Sequence, residues 1–206
     1  ARGLFNAGVE THVVHLMPHL MDTQLDTAGG RVLERQLSQM GIQIHLDTCT
    51  TAVTGDDEVS GLQFKDGSTL DCEMVVVAAG IRPNVDVAVR AGLTVGRGIV
   101  VGDDLACVGA PDVYAIGECA EHQGRIYGLV APLWEQAQVL AERLSGRNPR
   151  AVYLGSKPST KLKVAGIDLA VMGDKDAVEE DDEVVTYAEP SRGIYKKLVV
   201  RNERLA

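Results

Sequence analysis

The sequence predicts an α/β fold with a parallel sheet, followed by a β-rich segment. Three observations predict it. A β-branched run at 11–16 (THVVHL), a helical pattern after it and a short apolar run at 42–46 make a β-α-β unit. Residues 74–78 (MVVVA) and 113–116 (VYAI) are continuous apolar stretches followed within two residues by glycine, and the first is of the kind buried on both faces of a sheet. Beyond Asn148-Pro149 the chain turns glycine-punctuated and β-rich.

Each element has a local reason. The opening residues read as the end of a helix with Gly8 as its stop. After the first strand, Thr23 is placed to cap a helix, with Asp26 three residues on as capping-box partner. Leu25, Ala28, Val32, Leu33, Leu37 and Met40 then recur at helical spacing, and Gly41 ends the run. The strand at 42–46 completes a unit whose two strands must run parallel. Residues 58–65 and 68–71 pair as a hairpin through Asp66-Gly67. After 74–78, residues 80–84 (GIRPN) break the pattern, and Asn84 caps a short helix that Gly92 closes. Two further strands are expected at 98–101 and 112–116. Pro132 starts a helix whose apolar face is Leu133, Ala137, Leu140, Ala141 and Leu144, with Gly146 after it. Residues 162–173, 184–187 and 195–201 read as strands, and Asn202-Glu203 as a turn into a return strand.

Composition narrows the function. Of 206 residues, 45% are hydrophobic and 24% charged, enough to bury a core. The longest apolar run, 74–81, is far short of the roughly 20 residues that cross a membrane. A net charge of −9 argues against nonspecific binding to nucleic acid or anionic lipid. Residues 174–183 carry seven acids and one lysine, read as a solvated loop. The four cysteines, Cys49, Cys72, Cys107 and Cys119, form no close pair. That pattern fits a reducing compartment, and cytoplasmic location is expected.

The informative constellation is a pair of strand ends. One is Ala78-Ala79-Gly80 and the other Ile116-Gly117-Glu118, with Ile81-Arg82-Pro83-Asn84 between them and the Pro132 helix after. In a doubly wound sheet, ligands lie beyond the carboxyl ends of the strands. Glycine there allows close backbone approach, and an acid directly after it accepts from ligand hydroxyls. This order resembles the pyridine nucleotide–disulfide reductase superfamily. Within it, the wording of 14–26, of Gly117-Glu118-Cys119-Ala120-Glu121-His122 and of Tyr127-Gly128-Leu129-Val130-Ala131-Pro132 resembles the NAD(P)H-dependent nitrite reductase large subunits. Residues 159–168 (STKLKVAGID) resemble the start of that family's next domain.

The resemblance implies part of a two-dinucleotide-binding-domain flavoprotein reductase fold, followed by the start of a β-rich domain. Residues 1–82 would belong to the NAD(P)H-binding domain, 83–149 to the FAD-binding domain and 150–206 to the β-rich domain. It implies FAD and NAD(P)H as cofactors of the intact protein. Siroheme and a [4Fe-4S] cluster would lie outside this chain. Candidate cofactor-binding residues are Gly80, Gly117, Glu118, Pro132 and His122 toward FAD, and His15 toward the nucleotide ribose. Glu118 stands where the superfamily usually has aspartate. His15 stands where many NADH-selective relatives have an acid, so NADH against NADPH stays open. No catalytic residue and no metal ligand is assigned. Cys119 and Trp134 read as packing residues, and His12, His15 and His19 as surface or cofactor-edge histidines.

The chain starts inside a helix, ends inside a hairpin and has no G-x-G-x-x-G after a strand, so it reads as an internal fragment. Such a fragment is expected to be inactive alone, to hold its cofactors weakly or not at all, and to self-associate. The expected partners of the intact protein are a nicotinamide nucleotide and a downstream redox centre or small electron-transfer protein. The alternatives are a ferredoxin or rubredoxin reductase of the same fold, and a cofactor-free folded module.

Overall fold

The computed structural model describes residues 1–157, 159–164, 166–173 and 175–206. In chain order the elements are α1 (Arg2–Asn6), β1 (His12–Val14), α2 (Thr27–Gln39), β2 (Gln43–His45), β3 (Thr50–Thr54), β4 (Gly61–Phe64), β5 (Thr69–Asp71), α3 (Asp86–Arg90), β6 (Ile99–Val101), β7 (Ala106–Cys107), β8 (Ala110–Tyr114), β9 (Ala120–His122), β10 (Arg125–Ile126), α4 (Val130–Leu144), β11 (Ser159–Val164), β12 (Ile167–Met172), β13 (Glu183–Glu189), β14 (Ile194–Arg201) and β15 (Arg204–Leu205). They form two compact units, Ala1–Val77 with Ser159–Ala206, and Ala78–Pro158.

The first unit contains the expected β-α-β. Strands β1 and β2 are parallel, with Val13 opposite Ile44. Leu33 and Leu37 of α2 pack on Leu20 and Ile42, and Ile167 and Leu169 of β12 extend that core. The helix starts later than the sequence implied. Thr23 does not cap it: the N-cap is Asp26, whose carboxylate accepts the Gly29 N–H at 2.9 Å. Residues 23–25 are instead used by a turn in which the Gln24 and Leu25 amides reach back to the Met21 carbonyl. In the first turns of α2, Gly30 is required by close approach, because a Cβ there would lie 2.7 Å from His19 Nδ1. His19 is accordingly buried, not at the surface as its polarity implied.

Strands β3, β4 and β5 form an antiparallel meander. The expected hairpin joins β4 to β5, but its turn differs. The Gly67 N–H bonds to the Phe64 carbonyl, and Gly67, not Asp66, has positive φ. This is a type I turn followed by a left-handed residue, not the two-residue mirror turn. Strand β3 was not expected. Its five residues are all exposed, so it shows no inward–outward alternation for the sequence to display.

At the carboxyl end, β11 pairs with β12, and β13, β14 and β15 form a second antiparallel meander. Asn202 and Glu203 both have positive φ, as the mirror turn between β14 and β15 demands. The acidic loop is only partly a solvated one. Asp182 takes a two-pronged bond from Arg201 Nε and Nη2, each 2.8 Å, and accepts the Val178 and Glu179 amides. Those donors hold its carboxyl well below the usual carboxylate range. Asp174 lies outside the described residues.

The second unit is built on a five-stranded sheet in the order β10-β9-β6-β7-β8, with β6 and β9 parallel and the other pairs antiparallel. Val101, Leu105, Cys107, Ala115, Ala120, Tyr127 and Tyr153 form its core. Asn84 sits just ahead of α3, where its Oδ1 accepts the Asp86 N–H at 3.3 Å, and the helix itself starts from Val85.

One expected strand does not form. Residues 74–78 join no ladder among the described residues, and Val77 is 81% exposed. An apolar run demands burial, but a strand exists only where another strand takes its hydrogen bonds. The strand expected at 112–116 is present as β8, shifted to Ala110–Tyr114 and exposed at the sheet edge, with Ala115 buried just beyond it.

Candidate functional site

Five of the six candidate residues fall in the second unit: Gly80, Gly117, Glu118, His122 and Pro132. Gly117 follows β8 with φ +91, and a Cβ there would meet nothing within 4 Å. Its N–H lies beyond the end of the β8 ladder, and Gln136 Oε1 accepts that N–H at 2.8 Å. The Gly117 carbonyl accepts the Ala120 N–H at 3.1 Å, which closes a turn that leaves Glu118 exposed. Pro132, in the first turn of α4, is buried one turn before Gln136. The strand end and the start of α4 therefore meet.

A third segment joins them. A Cβ on Gly128 would lie 3.9 Å from Ile81 Cδ1 and 4.0 Å from Glu118 Oε1. The Gly80-Ile81 loop, Glu118 and the approach to α4 thus converge around a glycine floor. Gly80 has φ +85 with open space around it. Helix α4 starts from Leu129 with no side-chain cap and no acid in its first turn. Its leading N–H groups keep their partial positive charge for another acceptor.

This arrangement offers a carboxylate for hydroxyl groups, an uncapped helix start for negative charge, and an apolar edge. Those features fit the polyol and ring portions of a flavin nucleotide. Among the described residues, no group of three or more His, Cys, Asp or Glu could hold a metal ion.

His122 takes a different place from the one expected. It does not line the open strand ends; it is 1% exposed, inside the core. In β9 the inward positions are Ala120 and His122, and Glu121 lies between them. His122 Nε2 lies 2.8 Å from Asp103 Oδ1, and the ring tilts against Tyr153 at 5.0 Å. The bond to His122 holds the Asp103 carboxyl below its usual range, helped by Gln123. Trp134 is corrected in the opposite sense: it is 72% exposed and packs in no core. The inward face of α4 is Pro132, Leu133, Gln136, Val139 and Leu140, so the expected Ala141 and Leu144 lie outside.

His15 belongs to the first unit. Its Nε2 lies 3.2 Å from Asp22 Oδ1, although the geometry is not that of a hydrogen bond. It lines a cleft of about 440 Å³ whose other walls include Arg2, Val13, Leu20 and Ile42. His12 stacks on His45 at 5.2 Å, with Nδ1 to Nε2 at 2.9 Å. Burial, then the His12 charge, pushes the His45 imidazole down.

Sequence reasoning missed two polar residues of consequence. Gln136 is wholly buried, and its position on the apolar face of α4 was the available signal. Asp26 accepts from Tyr195 Oη at 2.6 Å and Lys197 Nζ at 2.9 Å, as well as from Gly29. No local pattern announces a contact between residues so far apart in sequence.

Comparison with known proteins finds relatives over the whole chain. The family described as pyridine nucleotide-disulphide oxidoreductase matches residues 1–141. The rubredoxin NAD+ reductase C-terminal domain matches residues 158–206. The chain is 45% identical to the nitrite reductase [NAD(P)H] of Bacillus subtilis, over 100% of this chain and 25% of that protein. It is 41% identical to the assimilatory nitrate reductase electron transfer subunit of the same organism, over 100% of this chain and 26% of that one. It thus spans about a quarter of the length of these relatives. Among solved structures it is similar to a ferredoxin reductase from Rhodopseudomonas palustris, with TM-score 0.83 and 26% identity over 97% of this chain and 50% of that one.

Proposed function

Because the chain belongs to the pyridine nucleotide-disulphide oxidoreductase family, we propose that it contributes to the electron-input module of an NAD(P)H-dependent nitrite reductase large subunit. The observation that carries the proposal is the junction of Gly117-Glu118 with α4, where an exposed carboxylate, Ile81 and the approach to an uncapped helix start come together at Gly128. The identity over the whole chain to a nitrite reductase supports the choice of acceptor. We read residues 1–82 as nucleotide domain, 83–149 as FAD domain and 150–206 as the β-rich domain.

Bound at this junction, FAD would supply the redox chemistry, taking a hydride from NAD(P)H and releasing electrons singly. The chain's own residues do the holding. Glu118 accepts from polyol hydroxyls, and the left-handed Gly117 keeps the backbone out of the ligand's way. The start of α4 stabilises negative charge near the ring. His15, beside Asp22, occupies the ribose end of the nucleotide site, beyond the carboxyl end of β1. The electrons would pass to a siroheme and [4Fe-4S] centre outside residues 1–206.

A second reading has its own support. Residues 158–206 match the C-terminal domain of rubredoxin reductases, so the acceptor could be a small redox protein instead. One experiment separates the two. The full-length protein is supplied with NADH or NADPH and either nitrite or rubredoxin. Turnover with nitrite is expected, and turnover with rubredoxin alone would overturn the first reading. In the same assay His15→Glu is expected to raise the NADH to NADPH efficiency ratio, because a carboxylate repels a 2′-phosphate. An unmoved ratio removes His15 from the site.

We also propose that the 206-residue chain self-associates through residues 74–81. Met74, Val76, Val77 and Ile81 are exposed there on a backbone with no ladder partner among the described residues, an arrangement open to pairing with another chain. Light scattering at high concentration is expected to exceed the 22.0 kDa of one chain. A monomer mass would overturn this.

A further inference from the structure

We propose that Gln136 is a positioning residue that sets the direction of Glu118; this rests on reading Glu118 as a flavin contact. Gln136 sits on the face of α4 that packs against the sheet, beside Leu133, Val139 and Leu140, and none of it is exposed. An amide there gives up apolar burial and must find partners. Its Oε1 has one, the Gly117 N–H at 2.8 Å. Its Nε2 lies beside the Tyr153 hydroxyl but makes no bond of acceptable geometry. A buried polar group kept at that cost marks the bond it does make as the reason for its presence.

The geometry explains what that bond does. Gly117 has left the β8 ladder, and no side chain packs where its Cβ would be. Its N–H is anchored to α4 by Gln136, and its carbonyl is closed onto Ala120. Glu118 is the next residue, exposed and free to face a ligand. Releasing the Gly117 amide would let the whole 117–120 turn pivot, carrying the carboxylate away from the start of α4. The rest of this surround is firmly tied. The Ser156 hydroxyl bonds to Glu135 and Tyr153, and the Ser156 N–H to Tyr127 Oη. The helix end of the bond is therefore a fixed support.

The test is a double-mutant cycle in the full-length protein, read as the FAD dissociation constant. Gln136→Met keeps the size and removes the acceptor. It is expected to weaken FAD binding roughly tenfold, the scale of one lost hydrogen bond. In a Glu118→Ala background the same change is expected to add almost nothing, because its effect travels through Glu118. No loss in the parent, or an equal loss in both backgrounds, would overturn the proposal. Amide exchange gives a readout that needs no flavin. The Gly117 N–H is expected to exchange slowly in the unmodified protein and at least roughly tenfold faster in Gln136→Met. Fast exchange in the unmodified protein would overturn the proposal even if the variant failed to fold. An unchanged FAD affinity in Glu118→Ala alone would instead sink the flavin reading and leave the exchange result standing.

Discussion

Glu118→Ala in the full-length protein is expected to weaken FAD retention by about 1.5–3 kcal/mol, roughly 10- to 150-fold in the dissociation constant. The cause is the loss of the exposed carboxylate that directly follows the Gly117 backbone tied to α4. A hydrogen bond from a ligand hydroxyl to a charged acceptor is worth about that much. Glu118→Asp keeps the charge and shortens the reach by one methylene. It should therefore lose much less than the alanine variant. Flavin fluorescence during dilution measures both constants. Alanine and parent with the same affinity would remove Glu118 from the site.

The second large effect concerns stability. Asp26→Ala is expected to destabilise the first unit by ~3 kcal/mol, combining a lost helix cap of about 1 kcal/mol with lost charge-assisted bonds. The carboxylate accepts from Gly29, Tyr195 and Lys197, so one residue both starts α2 and ties it to β14. Burial pushes the Tyr195 phenol up to about 12, aided by the Asp26 carboxylate beside it. Burial by itself would raise the Asp26 carboxyl, but the Tyr195, Gly29 and Lys197 donors outweigh it and hold it below its usual value.

The sign of the pH dependence follows from that direction. A carboxyl lowered on folding contributes stability above its unfolded value of about 3.9, and loses it as pH falls through the folded value. Asp26→Asn can still cap the helix. It is expected to cost less than alanine and to remove this part of the acid dependence. Urea midpoints at neutral pH and at acid pH check both claims. An alanine variant within about 0.5 kcal/mol of the parent would show that the three bonds carry no net stability.

How far each residue could be read in advance depended on where its partner lay. The α2 stripe, the Gly41 stop and the Asp66-Gly67 hairpin use neighbours within a few positions, so propensity and spacing reveal them. The Gly117-Glu118 strand end was visible because glycine followed by an acid after an apolar strand has a backbone reason. His122 and Trp134 were placed wrongly for a common cause. A histidine reads as polar and a tryptophan as apolar. Which way each faces is set by strand alternation in β9 and by the rotation of α4 on the sheet.

The same distinction divides the chain as a whole. The amino-acid order by itself determined the β-α-β unit, the strand that runs toward Gly117, the family resemblance and the absence of any long apolar span. All of these depend on the backbone preferences and side-chain period of contiguous residues. Tertiary structure alone decided that residues 74–78 join no ladder among the described residues, that Asp26 reaches Tyr195 and Lys197, and that a buried glutamine holds the Gly117 turn. Each of these depends on a partner across a long stretch of chain. Such a partner is chosen by the packing of whole elements and leaves no mark on the local sequence.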